Sequence, residues 1–157
     1  MTAGRAPVPG PLAEKICLLT NCGLLQGGPD AAEFQRQGAT LFLQTTDLAQ
    51  ARPVLTRDGV DLTPKEDEPP VTLTEDDFCR SGVADSHVSE IAPKAGRLDI
   101  LANNNAPERI DQPFHEIEDA EWDEMYRQVV TEMFRTTKAA VSPLSSVPSV
   151  ATCDRIS

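Results

Sequence analysis

Side chains suited to acid–base, nucleophilic or metal chemistry are few in this sequence and widely spaced. Four cysteines stand at Cys17, Cys22, Cys79 and Cys153, and two histidines at His87 and His115. None of the cysteines forms a Cys-x2-Cys pair, and no cluster has the ligand spacing of a zinc site, so no metal is expected. Cys17 lies in an apolar run and is expected in the core. The four together read as reduced thiols of a cytoplasmic protein. The single tyrosine, Tyr126, falls on the apolar side of a helical pattern. Two polar clusters remain, each closing a short apolar run: Asn21, Cys22 and Gly23 after residues 16–20, and Asn103, Asn104 and Asn105 after residues 98–102.

The elements that would position these clusters follow from the hydrophobic pattern. Residues 16–20 (Ile-Cys-Leu-Leu-Thr) read as a buried parallel strand. Residues 29–37 begin with Pro29 and are followed by Gly38, the punctuation of a helix. Residues 39–43 are a second apolar run and complete a βαβ unit, whose right-handed crossover sets the two strands side by side. Residues 47–55 fit a short helix interrupted by Pro53, and a brief third strand is expected around Val60. Three prolines and six acidic residues make 63–77 an expected exposed loop, within a loop region bounded at 63–80. A weak amphipathic helix runs from Gly82 to Lys94 and Gly96, and residues 98–102 are another buried strand.

The strongest periodicity covers 119–141, where Trp122, Met125, Tyr126, Val129, Val130, Met133, Phe134, Thr137, Ala140 and Val141 recur at steps of three and four. One long amphipathic helix is expected there, with its apolar face on the sheet. Residues 1–14, with Pro7, Pro9 and Pro11, are expected as a flexible arm, and the Ser- and Pro-rich residues 142–157 as a disordered tail. One domain over 15–141 results: an α/β fold with an incomplete, doubly wound parallel sheet, Rossmann-like, in three αβα layers.

Charge narrows the function. With 25 acidic residues against 14 basic ones, the net charge is −11. Binding nucleic acid or an anionic membrane relies on Lys and Arg, so both are excluded as expected partners. No apolar stretch approaches the length of a bilayer span.

The stretch from Arg97 through Leu98, Asp99, Ile100, Leu101, Ala102, Asn103, Asn104 and Asn105 to Ala106 resembles a motif of the short-chain dehydrogenase/reductase family. That motif, Leu-Asp-hydrophobic-Leu-Val-Asn-Asn-Ala-Gly, ends the fourth strand and braces the sheet beside the cofactor. Phe114, Glu118 and Trp122 fall where the family runs into its next long helix, and Gly38, Ala39, Thr40, Asp47 and Leu48 match its first βαβ unit. The resemblance covers about 15–141. It implies NAD or NADP as cofactor, a small-molecule substrate, and Thr20, Asn21, Gly27, Asn103 and Asn104 as cofactor-binding positions. It also implies an oligomer interface on the helix at 119–141, and hence a possible homo-oligomer.

The sequence departs from the family at several places. The phosphate loop is Thr-Gly-x-x-x-Gly-x-Gly in the family; here Asn21 and Leu25 replace two glycines, and Gly27 remains. Two readings stay open: a modified nucleotide pocket, and a strand–helix turn that binds nothing. Thr45 stands where an acidic residue would hold the ribose; Asp47 is two residues late and is expected as a helix cap. Asp61 matches an adenine-side aspartate or is a plain loop carboxylate. Val129 replaces the family's asparagine in the long helix and reads as packing. Family reductases use a Tyr as general acid with a Lys four residues on. Here Val130 follows Tyr126 at that spacing and Lys138 is three turns away, so no catalytic residue is expected.

Three functions follow: a truncated, inactive reductase; a fragment of the halohydrin dehalogenase branch, whose Thr-x4-aromatic-x-Gly loop has Leu25 here at the aromatic position; and a non-enzymatic interaction module built on the helix at 119–141.

Overall fold

The computed structural model describes residues 10–105, 113–145 and 151–152. Its elements in chain order are β1 (Ile16–Leu19), α1 (Gly27–Arg36), β2 (Thr40–Thr45), α2 (Leu48–Arg57), β3 (Val71–Glu75) and α3 (Val83–Ala95). There follow β4 (Ile100–Ala102), a short 3-10 turn at Phe114–Glu116, α4 (Asp119–Tyr126), a π-helical segment at Arg127–Thr131, α5 (Glu132–Ser145) and the two-residue β5 (Ala151–Thr152). The strands lie in the order β3-β2-β1-β4-β5, every pair parallel. This is the doubly wound arrangement that the alternation of runs and helices predicts.

Both faces of the sheet are covered, which is why its central strands are apolar without alternation. Cys17, Leu19, Leu41 and Leu43 point to one face and pack with Ala31, Ala51, Leu55 and Val60. Ile16, Leu18, Phe42 and Leu101 point to the other and pack with Val88, Ile91, Ala140 and Leu144. Helices α1 and α2 both end on glycines at positive φ, Gly38 at 89° and Gly59 at 92°. At each, the residue after the glycine donates to the carbonyl five back: Ala39 to Phe34 at 3.1 Å and Val60 to Leu55 at 2.9 Å. A side chain with a Cβ would be strained at those φ values, so glycine fixes where each helix stops.

The structure corrects four expectations. Val60 is not strand; it is the buried residue that closes the α2 C-terminus. The third strand lies inside the expected loop, at Val71–Glu75, where Val71 and Leu73 alternate with threonines and pair with β2. Pro69 and Pro70 precede it on the sheet edge, where a missing N–H costs no ladder bond. Helix α2 runs through Pro53, held by buried Ala51 and Leu55 and by Asp47, whose Oδ1 accepts from Gln50 N at 3.0 Å. At the chain ends, Leu12 N donates to Gln37 O at 3.2 Å, and α5 continues through Pro143 because Leu144 is buried four residues after Ala140. Ala151 pairs with Ile100 beside β4. The rest of the expected arm and tail, 1–9, 146–150 and 153–157, lies outside the described residues.

The long helix also differs from expectation. Its π segment carries an extra residue per turn and puts α4 and α5 out of phase. The residues of α5 that reach the core are Glu132, Thr136, Ala140 and Leu144, while Trp122, Tyr126, Phe134 and Val141 are all about half exposed or more (49–62%). The expected apolar face is therefore split: Ala140 packs on the sheet, while Trp122, Tyr126, Phe134 and Val141 face outward.

Candidate functional site in the loop after the first strand

The loop from Thr20 to Gln26 joins the C-terminal end of β1 to α1 and is tied to three neighbouring elements. Cys22 N donates to Gln44 O, and Asn21 N to Gln44 Oε1, both at 2.9 Å, anchoring the loop to β2. From the β4 end, Asn104 Nδ2 donates to Asn21 O at 2.9 Å and Leu24 O at 2.7 Å. Asn104 N donates in turn to Thr20 Oγ1 at 3.0 Å. The third tie comes from α5: Asn21 Nδ2 donates to Glu132 Oε1 at 2.8 Å.

Two residues of this loop hold a left-handed backbone, Asn21 at φ 47° and Leu25 at φ 42°. Asparagine tolerates that region; for leucine it costs on the order of 1–2 kcal/mol. The Leu25 side chain is 70% exposed and so gains little burial in return. Both positions thus carry the backbone of a glycine with a side chain added.

Three glycines close the loop against the protein itself. A Cβ on Gly27 would stand 2.7 Å from Cys22 Cα and 2.8 Å from Asn104 Nδ2. One on Gly28 would stand 2.1 Å from Asp58 Oδ2, and one on Gly23 would stand 2.8 Å from Ala51. Helix α1 starts at Gly27 with no side-chain cap; Gly27 N already donates to Leu24 O at 2.8 Å and Pro29 has no N–H, which leaves Gly28 N as the one open amide of its first three. An α-helix N-terminus with free amides favours an anion.

A family model described as short chain dehydrogenase matches residues 30–149, about three-quarters of the chain. The chain belongs to the short-chain dehydrogenase/reductase family. An uncharacterised oxidoreductase of Schizosaccharomyces pombe is 30% identical over 152 residues, which cover 94% of this chain and 50% of that protein. This chain thus spans about half the length of that curated relative. Among solved structures, a short chain dehydrogenase from Mycobacterium smegmatis superposes with a TM-score of 0.70 at 24% identity, over 93% of this chain and 59% of that one. The citronellol catabolism dehydrogenase of Pseudomonas aeruginosa gives 0.74 at 18% identity, over 92% and 56%. These likenesses are of fold. The family match begins at residue 30, so the loop with its replaced glycines lies just before it.

Of the five positions matched to the family's cofactor contacts, the structure brings four together. Thr20, Asn21, Gly27 and Asn104 meet at the loop, bonded or packed as above. Asn103 points the other way, toward α5, donating from Nδ2 to Thr137 Oγ1 at 3.1 Å; its Oδ1 is buried without a partner. The next residue, Asn105, donates from Nδ2 to the carbonyls of Gln128 and Val129 at 3.1 and 3.4 Å. Those carbonyls belong to the π segment, so Asn105 braces the bulge. Arg127 and Glu124 form a two-pronged bond across its start, 2.7 Å on each prong, which holds the Glu124 carboxyl down at about 2.

The remaining sequence candidates sit apart. Thr45 Oγ1 accepts from Asp47 N at 3.2 Å and lies opposite Glu75, whose Oε2 accepts from Leu48 N at 2.9 Å. Asp47 is the α2 cap, and Asp61 accepts from Thr63 N at 2.9 Å as a turn carboxylate. Tyr126 is exposed on α4, and Lys138 stands 6.0 Å above the Phe134 ring. Burial pushes the thiols of Cys17, Cys22 and Cys79 up to about 12, so none is a ready nucleophile at neutral pH.

Sequence reasoning missed two residues at the loop, Gln44, fully buried in β2, and Glu132. Glu132 is 4% exposed, yet it sits directly against Asn21. Its four-residue spacing with Thr136, Ala140 and Leu144 carried the signal, but the π segment broke the helical register that would have exposed it. A second missed pair is His87 Nδ1 and Asp76 Oδ2 at 2.7 Å, with Phe78 edge-on to the imidazole at 5.1 Å. It lines a cavity of about 460 Å³ beside α3 that contains none of the five loop positions.

The loop can be tested against the dinucleotide that the family implies. Its backbone fits in part: Asn21 keeps the tight turn after β1 and Gly28 N is open at the start of α1, while Leu25 puts a side chain where the family has a glycine. The side chains fit less well, since Asp30 lies in the first turn of α1 and a buried carboxyl backs the loop at Glu132.

Proposed function

We propose that this chain is the nucleotide-binding half of a short-chain dehydrogenase/reductase, takes NAD or NADP at the β1–α1 loop, and does not turn over a substrate by itself. The observation behind this reading is that Asn21 and Leu25 keep the left-handed backbone of the family's glycines despite carrying side chains. A turn that served packing alone would have no reason to hold leucine there. The open Gly28 amide at the start of α1 would donate to the pyrophosphate, Thr20, Asn21 and Gly27 would border it, and Asn104 would keep the loop in place. When bound, NAD(P) supplies or accepts a hydride in oxidoreduction of a small carbonyl or hydroxyl compound.

Proton transfer in that reaction needs a Tyr with a Lys four residues on. The sequence has Tyr126 alone, with Val130 at that spacing. We further propose that the exposed Trp122, Tyr126, Phe134 and Val141 meet a second copy of the chain, and that it works in the cytoplasm. Incubating the purified chain with NADPH and a panel of aldehydes and ketones should give no absorbance loss at 340 nm. Steady consumption of NADPH would overturn the assignment of inactivity.

A further inference from the structure

Besides the thiols of Cys17 and Cys22, three ionisable side chains are buried among the described residues: His87, Asp99 and Glu132. His87 has Asp76 at 2.7 Å. Asp99 accepts from Ile16 N and Arg97 Nε, each at 2.9 Å, with Lys15 at 3.8 Å. Glu132 has no ion pair among the described residues. Its Oε1 accepts from Asn21 Nδ2 at 2.8 Å and its Oε2 from Cys79 Sγ at 3.7 Å, both neutral donors.

The charged groups around Glu132 are committed elsewhere. Arg127, on the π segment, is forked onto Glu124 at 2.7 Å. Arg135, one turn along α5, donates to the carbonyl of Cys79. From the segment between β3 and α3 come the Cys79 thiol and the Asp77 carboxylate, whose charge adds to the load. The loop itself contributes only Asn21. Glu132 is therefore a buried carboxyl with no ion pair among the described residues, eased only in part by its two neutral donors and the charge of Arg127, beneath the turn proposed as the phosphate site.

We propose that Asn21 and Glu132 form a proton-operated latch on the β1–α1 loop: ionised Glu132 ties the loop to α5 and repels a nucleotide phosphate, and protonated Glu132 admits one. This rests on the reading of the loop as a nucleotide site. Burial pushes the Glu132 carboxyl up to about 7, so the switch falls near neutral pH. Proton and phosphate binding are reciprocal, so affinity falls as pH rises through that value. Where only the protonated form binds, the loss approaches about tenfold per pH unit above it.

The test uses the whole chain, nitrogen-15 labelled, as wild type and as Glu132→Gln. The probe is NAD⁺, whose pyrophosphate keeps its charge between about pH 5.5 and 8.5. The Asn21 side-chain amide signal should titrate with a midpoint near neutrality in the wild type and not in the variant. NAD⁺ affinity should fall about tenfold or more from pH 6 to pH 8.5 in the wild type and stay level in the variant. An Asn21 signal that does not move, or equal pH dependence in both proteins, overturns the latch. If neither protein binds NAD⁺ at any pH, the nucleotide reading fails on its own. The tie between loop and helix is then decided by the Asn21 titration alone.

Discussion

Replacing Glu132 by glutamine should stabilise the chain at pH 8 and change little at pH 5. Burial moves the carboxyl from 4.5 to about 7 in the folded chain. In the unfolded chain it ionises near its ordinary value. Between those two values the folded state keeps a proton that the unfolded state has released. Stability from this group is therefore full below about pH 4.5, declines as pH rises, and levels off above about 7. A displacement of that size corresponds to about 3 kcal/mol. Glutamine keeps an oxygen for Asn21 Nδ2 and has no charge to bury, so it escapes the loss. Urea denaturation of both proteins at pH 5 and pH 8 isolates the effect, because every other titrating group cancels in the difference. The variant should gain about 2–3 kcal/mol on wild type between the two pH values. An unchanged difference would falsify the placement of Glu132 as a buried carboxyl without an ion pair.

Other changes probe the loop from its remaining sides. Asn104→Ala strips partners from the carbonyls of Asn21 and Leu24 and should cost about 1–3 kcal/mol in a urea melt. Gly27→Ala drives a methyl into the Cys22 backbone and should destabilise by about 1–3 kcal/mol, whereas Ala at an open surface site would not. Leu25→Gly relieves a left-handed leucine and removes a side chain from the loop mouth, so NADH affinity should rise several-fold by calorimetry. Phe134→Glu places a charge on the exposed stripe of α4 and α5. It should shift any self-association seen by sedimentation toward monomer and leave the far-ultraviolet circular dichroism unchanged.

The parts of the fold that the sequence disclosed are those whose pattern matches one physical cause. Residues 16–19 and 41–43 are apolar throughout because both sheet faces are covered, and Gly38 marks a helix end because its φ demands it. Val71–Glu75 escaped notice because the prolines ahead of it read as loop, although a proline costs nothing on a sheet edge. The helix at 119–141 was legible as a helix but not in its facing. A π segment alters the phase without any signature in apolar spacing, so Glu132 turned inward while Phe134 turned out. At the site, Thr20, Asn21, Gly27 and Asn104 are legible through the family resemblance, which matches them to motif positions at the ends of two strands. Glu132 lies 111 residues from Asn21, and only the packing of α5 under the loop joins them.

Whether the loop takes a dinucleotide at all is the question on which the account turns. Calorimetric titration of the unmodified chain with NADH and NADPH at pH 6 addresses it directly, with Glu132 then largely neutral. One of the two should bind saturably at one site per chain, without turnover, and adenosine diphosphate should displace it. No saturable heat for either, up to millimolar concentration, would mean that the glycine replacements have left a turn that serves only to join β1 to α1.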